Sequence, residues 1–126
     1  MIVLDTSVVI DGLTGPKRSA AALRKAIERG ERLVIPALVL YEWLRGPRLR
    51  QEVAAQEALF PRASALPFGA QEAVLAAKLY TAVRRPRGRE LDLAIAAYAI
   101  ARDAEFWTLN IADFRDVPRL RVSLPG

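Results

Sequence analysis

At 126 residues, with 52% hydrophobic and 26% charged content, the chain can bury one good core and is too apolar to be disordered. It has no cysteine and no histidine, which excludes disulfides, thiolate chemistry, imidazole acid–base pairs and the usual zinc ligands. The net charge of +5 is an arginine charge, because only Lys17, Lys25 and Lys78 of the 19 basic residues are lysines.

Arginine presents a planar fork that suits phosphate, so a polyanionic partner is expected, although genomic base composition would enrich arginine equally well. Catalysis, if any, must rest on carboxylates, hydroxyls, Lys or Arg. A metal should be a hard, oxygen-loving ion such as Mg²⁺ or Mn²⁺.

In chain order, Ile2–Leu4 reads as a buried strand that runs straight into Asp5, Thr6 and Ser7. Thr6 or Ser7 can cap the short apolar turn Val8–Ile10, which Asp11-Gly12 should end. Gly15-Pro16 opens a helix with an apolar stripe at Ala20, Leu23, Ala26 and Ile27, closed by Gly30. Leu33–Ile35 is a second strand, and Pro36 switches the chain into a helix from Ala37 to about Leu44. Glu42 stands in the middle of that largely apolar helix, which Arg45-Gly46-Pro47-Arg48 stops.

A further helix is expected over Leu49–Leu59, a short third strand over Ala63–Leu66, and a helix over Ala70–Val83 with Glu72 and Lys78 exposed. Arg84-Arg85-Pro86-Arg87-Gly88-Arg89 is a basic loop. The helix Glu90–Arg102 is apolar nearly all round, so it should pack inside, and Asp92 is its internal acid. Glu105–Leu109 is a fourth strand, followed by Asn110 and Asp113, and Arg119–Leu124 a last strand able to pair in either direction. No repeat or linker divides the chain, so residues 1–126 are read as one domain. The apolar runs fall short of the roughly 20 residues of a membrane span. The N-terminus lacks the basic region of a signal peptide, so a soluble, cytoplasmic protein is expected.

Strands alternating with helices predict a mostly parallel sheet covered on both faces, with chemistry at the carboxyl ends of the strands. Asp5, Glu42, Asp92 and Asp113 all lie near that edge. Each has an ordinary explanation: a turn residue, an ion pair with Arg45, a favourable charge at a helix start, or a cap beside Asn110. Brought together, four carboxylates would repel one another unless a cation neutralised them, as in metal-assisted phosphodiester hydrolysis. Arg45, Arg48 and Arg50 follow the helix of Glu42, while Arg84, Arg85, Arg87 and Arg89 precede that of Asp92. Metal-binding acids beside phosphate-binding arginines suit a nucleic-acid backbone, with solvated loop charge as the bland alternative.

These pieces resemble the PIN domain, in particular the VapC-type toxin ribonuclease of toxin–antitoxin modules. The resemblance rests on Ile-Val-Leu-Asp5-Thr-Ser7, Ile-Pro-Ala-Leu-Val-Leu-Tyr-Glu42, Asp92-Leu-Ala-Ile-Ala-Ala97, and Thr108-Leu-Asn110 with Asp113-Phe114. It implies a PIN-like three-layer α/β/α sandwich around a mostly parallel sheet of four to five strands. It also implies a Mg²⁺- or Mn²⁺-dependent endoribonuclease with Asp5, Glu42, Asp92 and Asp113 catalytic and Asp5 and Asp92 as direct ligands. Thr6, Ser7, Thr108 and Asn110 would support the carboxylates, with either Asp113 or Asn110 completing the site. Arg45, Arg48, Arg50, Arg85, Arg87 and Arg89 are the RNA-binding candidates. The implied partners are RNA, a small VapB-like antitoxin and a second copy of the chain in a homodimer. A non-catalytic, basic RNA-binding PIN scaffold is the alternative. A phosphatase with Asp5 as nucleophile is disfavoured, because Ser7 stands where its second acid should be.

Overall fold

A three-residue strand made only of Ile, Val and Leu must be covered on both faces, and Ile2–Leu4 (β1) is buried throughout. The computed structural model describes residues 1–126 and places β1 inside a four-stranded sheet. The other strands are β2 (Leu33–Val34), β3 (Glu105–Trp107) and β4 (Arg121–Ser123), in the order β2-β1-β3-β4. All three pairings are parallel, so β4 takes the parallel option. Seven helices flank the sheet: α1 (Thr6–Leu13), α2 (Ala20–Glu28), α3 (Ala37–Arg45), α4 (Arg50–Leu59), α5 (Ala70–Ala82), α6 (Glu90–Ala101) and α7 (Ile111–Phe114).

The register decides where chemistry can happen. Leu4 lies opposite Trp107, and the Asp5 N–H donates to the Trp107 carbonyl at 2.9 Å. Asp5 and Thr108 therefore leave the sheet side by side at its carboxyl edge. Beneath them α6 is buried continuously from Leu93 to Ile100, as its all-round apolar sequence requires. Parallel strands need crossover connections, and α6, between α5 and β3, provides the most deeply buried one.

Four local expectations change. The apolar turn after Asp5 continues as a full helix to Leu13, because Gly12 is a contact point and not a stop. A Cβ at Gly12 would lie 2.7 Å from Leu23 Cδ1, so its missing side chain lets α1 and α2 approach. The second helix begins at Ala20, not near Pro16. Gly15 and Lys17 take φ of 57° and 54°, and such left-handed residues break a helix. The third strand at Ala63–Leu66 shrinks to one parallel bridge between Leu66 and Pro36. Residues Arg62–Ser64 form a 3₁₀ turn instead, and proline offers no N–H to extend the ladder.

Glu72 is the fourth change, buried where an exposed face was expected. It accepts from the Gly69 N–H at 2.9 Å, which caps α5, and from Arg102 Nη1 at 3.1 Å. Arg102 also lies over the Tyr98 ring at 5.6 Å, tying α5 to the end of α6. Arg102→Ala would remove this carboxylate's counter-ion and leave it only the N–H groups at the start of α5. It should cost about 1–2 kcal/mol by chemical denaturation, whereas Arg121→Ala at the surface should cost under about 1 kcal/mol.

Candidate active site

Asp5 is buried, and that burial is held by two hydroxyls on one oxygen. Thr108 Oγ1 donates to Asp5 Oδ2 at 2.7 Å and Ser7 Oγ donates to the same atom at 3.1 Å. Each hydroxyl carries one proton, so the 3.3 Å approach of Ser7 Oγ to Thr108 Oγ1 is a contact and not a further bond. Their lone pairs are used in turn: the Leu109 N–H donates to Ser7 Oγ and the Asn110 N–H to Thr108 Oγ1, each at 3.0 Å. The turn after β3 thus orients both hydroxyls, and both converge on Oδ2, leaving Oδ1 free of side-chain donors. Asn110 contributes through its main chain, and its side chain is exposed.

Thr6 points the other way. Its hydroxyl donates to Glu42 Oε1 at 2.5 Å, linking the start of α1 to the middle of α3. The ion pair expected between Glu42 and Arg45 is present but long, with Arg45 Nη2 3.5 Å from Oε2. Glu42 is therefore oriented mainly by a neutral hydroxyl.

Asp92, half-buried in the first turn of α6, shows how the acids affect one another. Its carboxyl is pushed up to about 6, first by burial and then by the charges of Asp5, Glu42 and Asp113, with Arg89 opposing. Asp5 is also raised, by burial before all else; the Thr108 and Ser7 hydrogen bonds pull against this, and the Glu42 charge adds to it. The charges of Asp5, Glu42 and Asp113 thus all reach Asp92 at the carboxyl edge of the sheet. The four acids do not stand as a ready-made ligand cage, since no three acidic side chains are grouped closely enough to hold an ion among them. Asp113, in the short α7, is the most exposed of the four.

The arginines divide. Arg48 lies 4.3 Å over the buried Trp43 ring and donates to the Trp43 carbonyl at 2.9 Å, so it covers the core. Arg45 stacks on Tyr41 at 5.2 Å. Arg50, Arg84, Arg85 and Arg87 are exposed. Arg84, Arg85 and Arg89 line an open cleft with Ala112, Asp113 and Asp116, next to the acids. Arg89 is engaged in a two-pronged pair with Asp116, at 2.9 and 2.6 Å. Asp116 escaped the sequence reading because its partner is 27 positions away and no motif joins them. The only linear hint is a forked cation at the end of the basic loop that needs an acceptor.

Three comparisons bear on this arrangement. A family model described as PIN domain matches residues 2–120. Ribonuclease VapC19 of Mycobacterium tuberculosis (strain ATCC 25618 / H37Rv) is 33% identical over 123 residues, covering 96% of this chain and 98% of that protein. DNA-bound VapBC from Salmonella typhimurium superposes with a TM-score of 0.79 at 20% identity, covering 99% of this chain and 98% of that one. VapBC2 from Rickettsia felis, bound to a promoter DNA fragment, gives 0.77 at 20% identity with 98% of each chain covered. At that identity, the structural likeness speaks to the fold.

The repulsion at Asp92 has a measurable consequence. An acid whose folded pKa lies above its unfolded value binds its proton more tightly when folded, so stability is lost as pH rises from about 3.8 through about 6. In metal-free buffer, Asp92→Asn should therefore be more stable than wild type at pH 7.5, by about 1–2 kcal/mol once solvent screening is allowed for. The difference should vanish below pH 4; denaturant melts of both proteins across that range measure it.

Proposed function

This chain belongs to the PIN domain family, and from that premise we propose that it is a metal-dependent endoribonuclease, the toxin of a toxin–antitoxin pair. The observation that carries the reading is Asp92, a carboxyl raised to about 6 by burial and by three neighbouring acids at the carboxyl edge of a parallel sheet. Such a cluster suits a divalent cation. The side-chain donors around Asp5 and Glu42 are carboxylate and hydroxyl oxygens, and a chain without His or Cys has no imidazole or thiolate to offer, which fits Mg²⁺ or Mn²⁺. A close cage of acids is not required, because Mg²⁺ commonly takes one or two carboxylates and completes its shell with water.

Asp5, through Oδ1, and Asp92 would hold the ion. Bound there, Mg²⁺ or Mn²⁺ supplies positive charge against the scissile phosphate and makes water more acidic. The Thr108 and Ser7 hydroxyls fix the Asp5 carboxylate, so Oδ1 is presented without reorganisation. Glu42, aimed by Thr6, would accept a proton from the attacking water at Oε2, the oxygen Arg45 holds only loosely. Asp113 would complete the acidic edge, and Asn110 would support it through its main-chain N–H. Arg84 and Arg85, which line the cleft beside Asp113, and the exposed Arg87 are free to receive phosphates.

RNA as substrate is supported by the name of the 33% identical relative, a ribonuclease, and an antitoxin partner by the VapBC complexes among the structural neighbours. A small VapB-like antitoxin, a homodimer and action in the cytoplasm belong to the same reading. No helix is long and apolar enough to cross a membrane.

Asp5→Asn and Asp92→Asn should each lower RNA cleavage in Mg²⁺ or Mn²⁺ by at least about 100-fold while leaving the circular dichroism spectrum unchanged. Wild-type activity in both variants would refute the mechanism. Wild-type protein that binds RNA but never cleaves it would favour a non-catalytic scaffold.

A further inference from the structure

Arg89 sits where the basic loop becomes α6, and its two ends are committed to different elements. Its N–H donates to the Pro86 carbonyl and its own carbonyl accepts from the Leu93 N–H, both at 2.9 Å, so its main chain opens the helix that carries Asp92. Its guanidinium reaches across to the segment that carries Asp113. Nη2 lies 2.6 Å from Asp116 Oδ1 and 2.9 Å from the Asp113 carbonyl oxygen, while Nη1 lies 2.9 Å from Asp116 Oδ2. A longer bond from Nη1 to the Arg85 carbonyl, at 3.4 Å, ties the basic loop to the same group.

A single exposed ion pair would mean little. This one is a fork with a third acceptor, its arginine is half-buried, and that third acceptor belongs to the main chain of one of the site acids. The neighbouring Arg84, Arg85 and Arg87 are exposed by contrast. We infer that Arg89 is a positioning residue and not an RNA contact: its fork onto Asp116 and the Asp113 carbonyl sets where Asp113 stands relative to Asp92. The inference rests on the metal-dependent reading above. It assigns the two halves of the basic loop different work, with exposed arginines toward the substrate and Arg89 toward the acids.

Arg89→Lys is the decisive variant, because lysine keeps the charge but cannot make the fork. RNA cleavage kinetics, Mn²⁺ titration of the metal-free protein and thermal melting should be measured on wild type, Arg89→Lys, Asp116→Asn and the double variant. In Arg89→Lys, kcat and Mn²⁺ affinity should each fall about tenfold, with KM within about twofold. Asp116→Asn should follow it, and the double variant should be no worse than the singles, since both remove one contact.

A raised KM with unchanged kcat, and no effect of Asp116→Asn, would make Arg89 an RNA contact and overturn the inference. A lowered melting temperature with kcat and Mn²⁺ affinity unchanged would make the pair merely structural and overturn it too. Wild type that binds Mn²⁺ but cleaves no RNA, with affinity still falling in Arg89→Lys, would sustain the positioning role and refute the nuclease reading. Wild type that neither binds Mn²⁺ nor cleaves RNA would refute both.

Discussion

Two hydroxyl protons on one carboxylate oxygen hold the site together. A buried, unpaired carboxylate would take up a proton or distort its surroundings. At Asp5 the Thr108 and Ser7 hydroxyls offset part of that cost, and the turn after β3 supplies the N–H groups that orient them. The arrangement exists only because β1 and β3 are parallel neighbours in a register that sets Leu4 beside Trp107. Shifting one strand by a residue would turn Thr108 to the opposite face and leave Asp5 without its donor. The buried α6 packs against both β1 and β3 and also delivers Asp92 to the same edge.

The same geometry costs stability at the edge proposed for the chemistry. Asp5 and Asp92 both hold protons more tightly than ordinary aspartates, burial acting first and neighbouring acids adding to it. A core designed only for stability would not collect acids in this way, and natural proteins accept such conflict at functional sites. Several acids away from this edge find partners. Glu72 finds Arg102, Asp116 finds Arg89, and Asp11 takes both Ser19 and Arg18. At the carboxyl edge the acids repel one another around Asp92, and a divalent cation would turn that repulsion into attraction.

Much of this was legible in the sequence because it depends on order and period. The apolar triplet before Asp5, the apolar helix interrupted by Glu42, and the continuous apolar run after Asp92 announced a parallel sheet and the helices that carry the acids. What could not be read depends on partners distant in the chain. Glu72 looked like a solvent-facing residue until Arg102, 30 positions on, closed over it. Asp116 has no local motif, and Arg89 looked like the other loop arginines until its acceptors came into place. Gly12 resembled a helix stop because a linear reading cannot show Leu23 against it. The expected third strand had the right residues, but its only pairing falls at Pro36. Asn110 was expected to support the acids with its side chain, whereas its contact with Thr108 is made by the backbone, which carries no signature of residue type.

The most direct test of the proposed cation site is thermal melting of the metal-free protein against Mn²⁺, in wild type and in an Asp5→Asn/Asp92→Asn double variant. Preferential binding to the folded state should raise the wild-type Tm progressively with Mn²⁺ concentration and leave the double variant unmoved. A wild-type Tm that does not move, or an equal rise in both proteins, would contradict the clustered site.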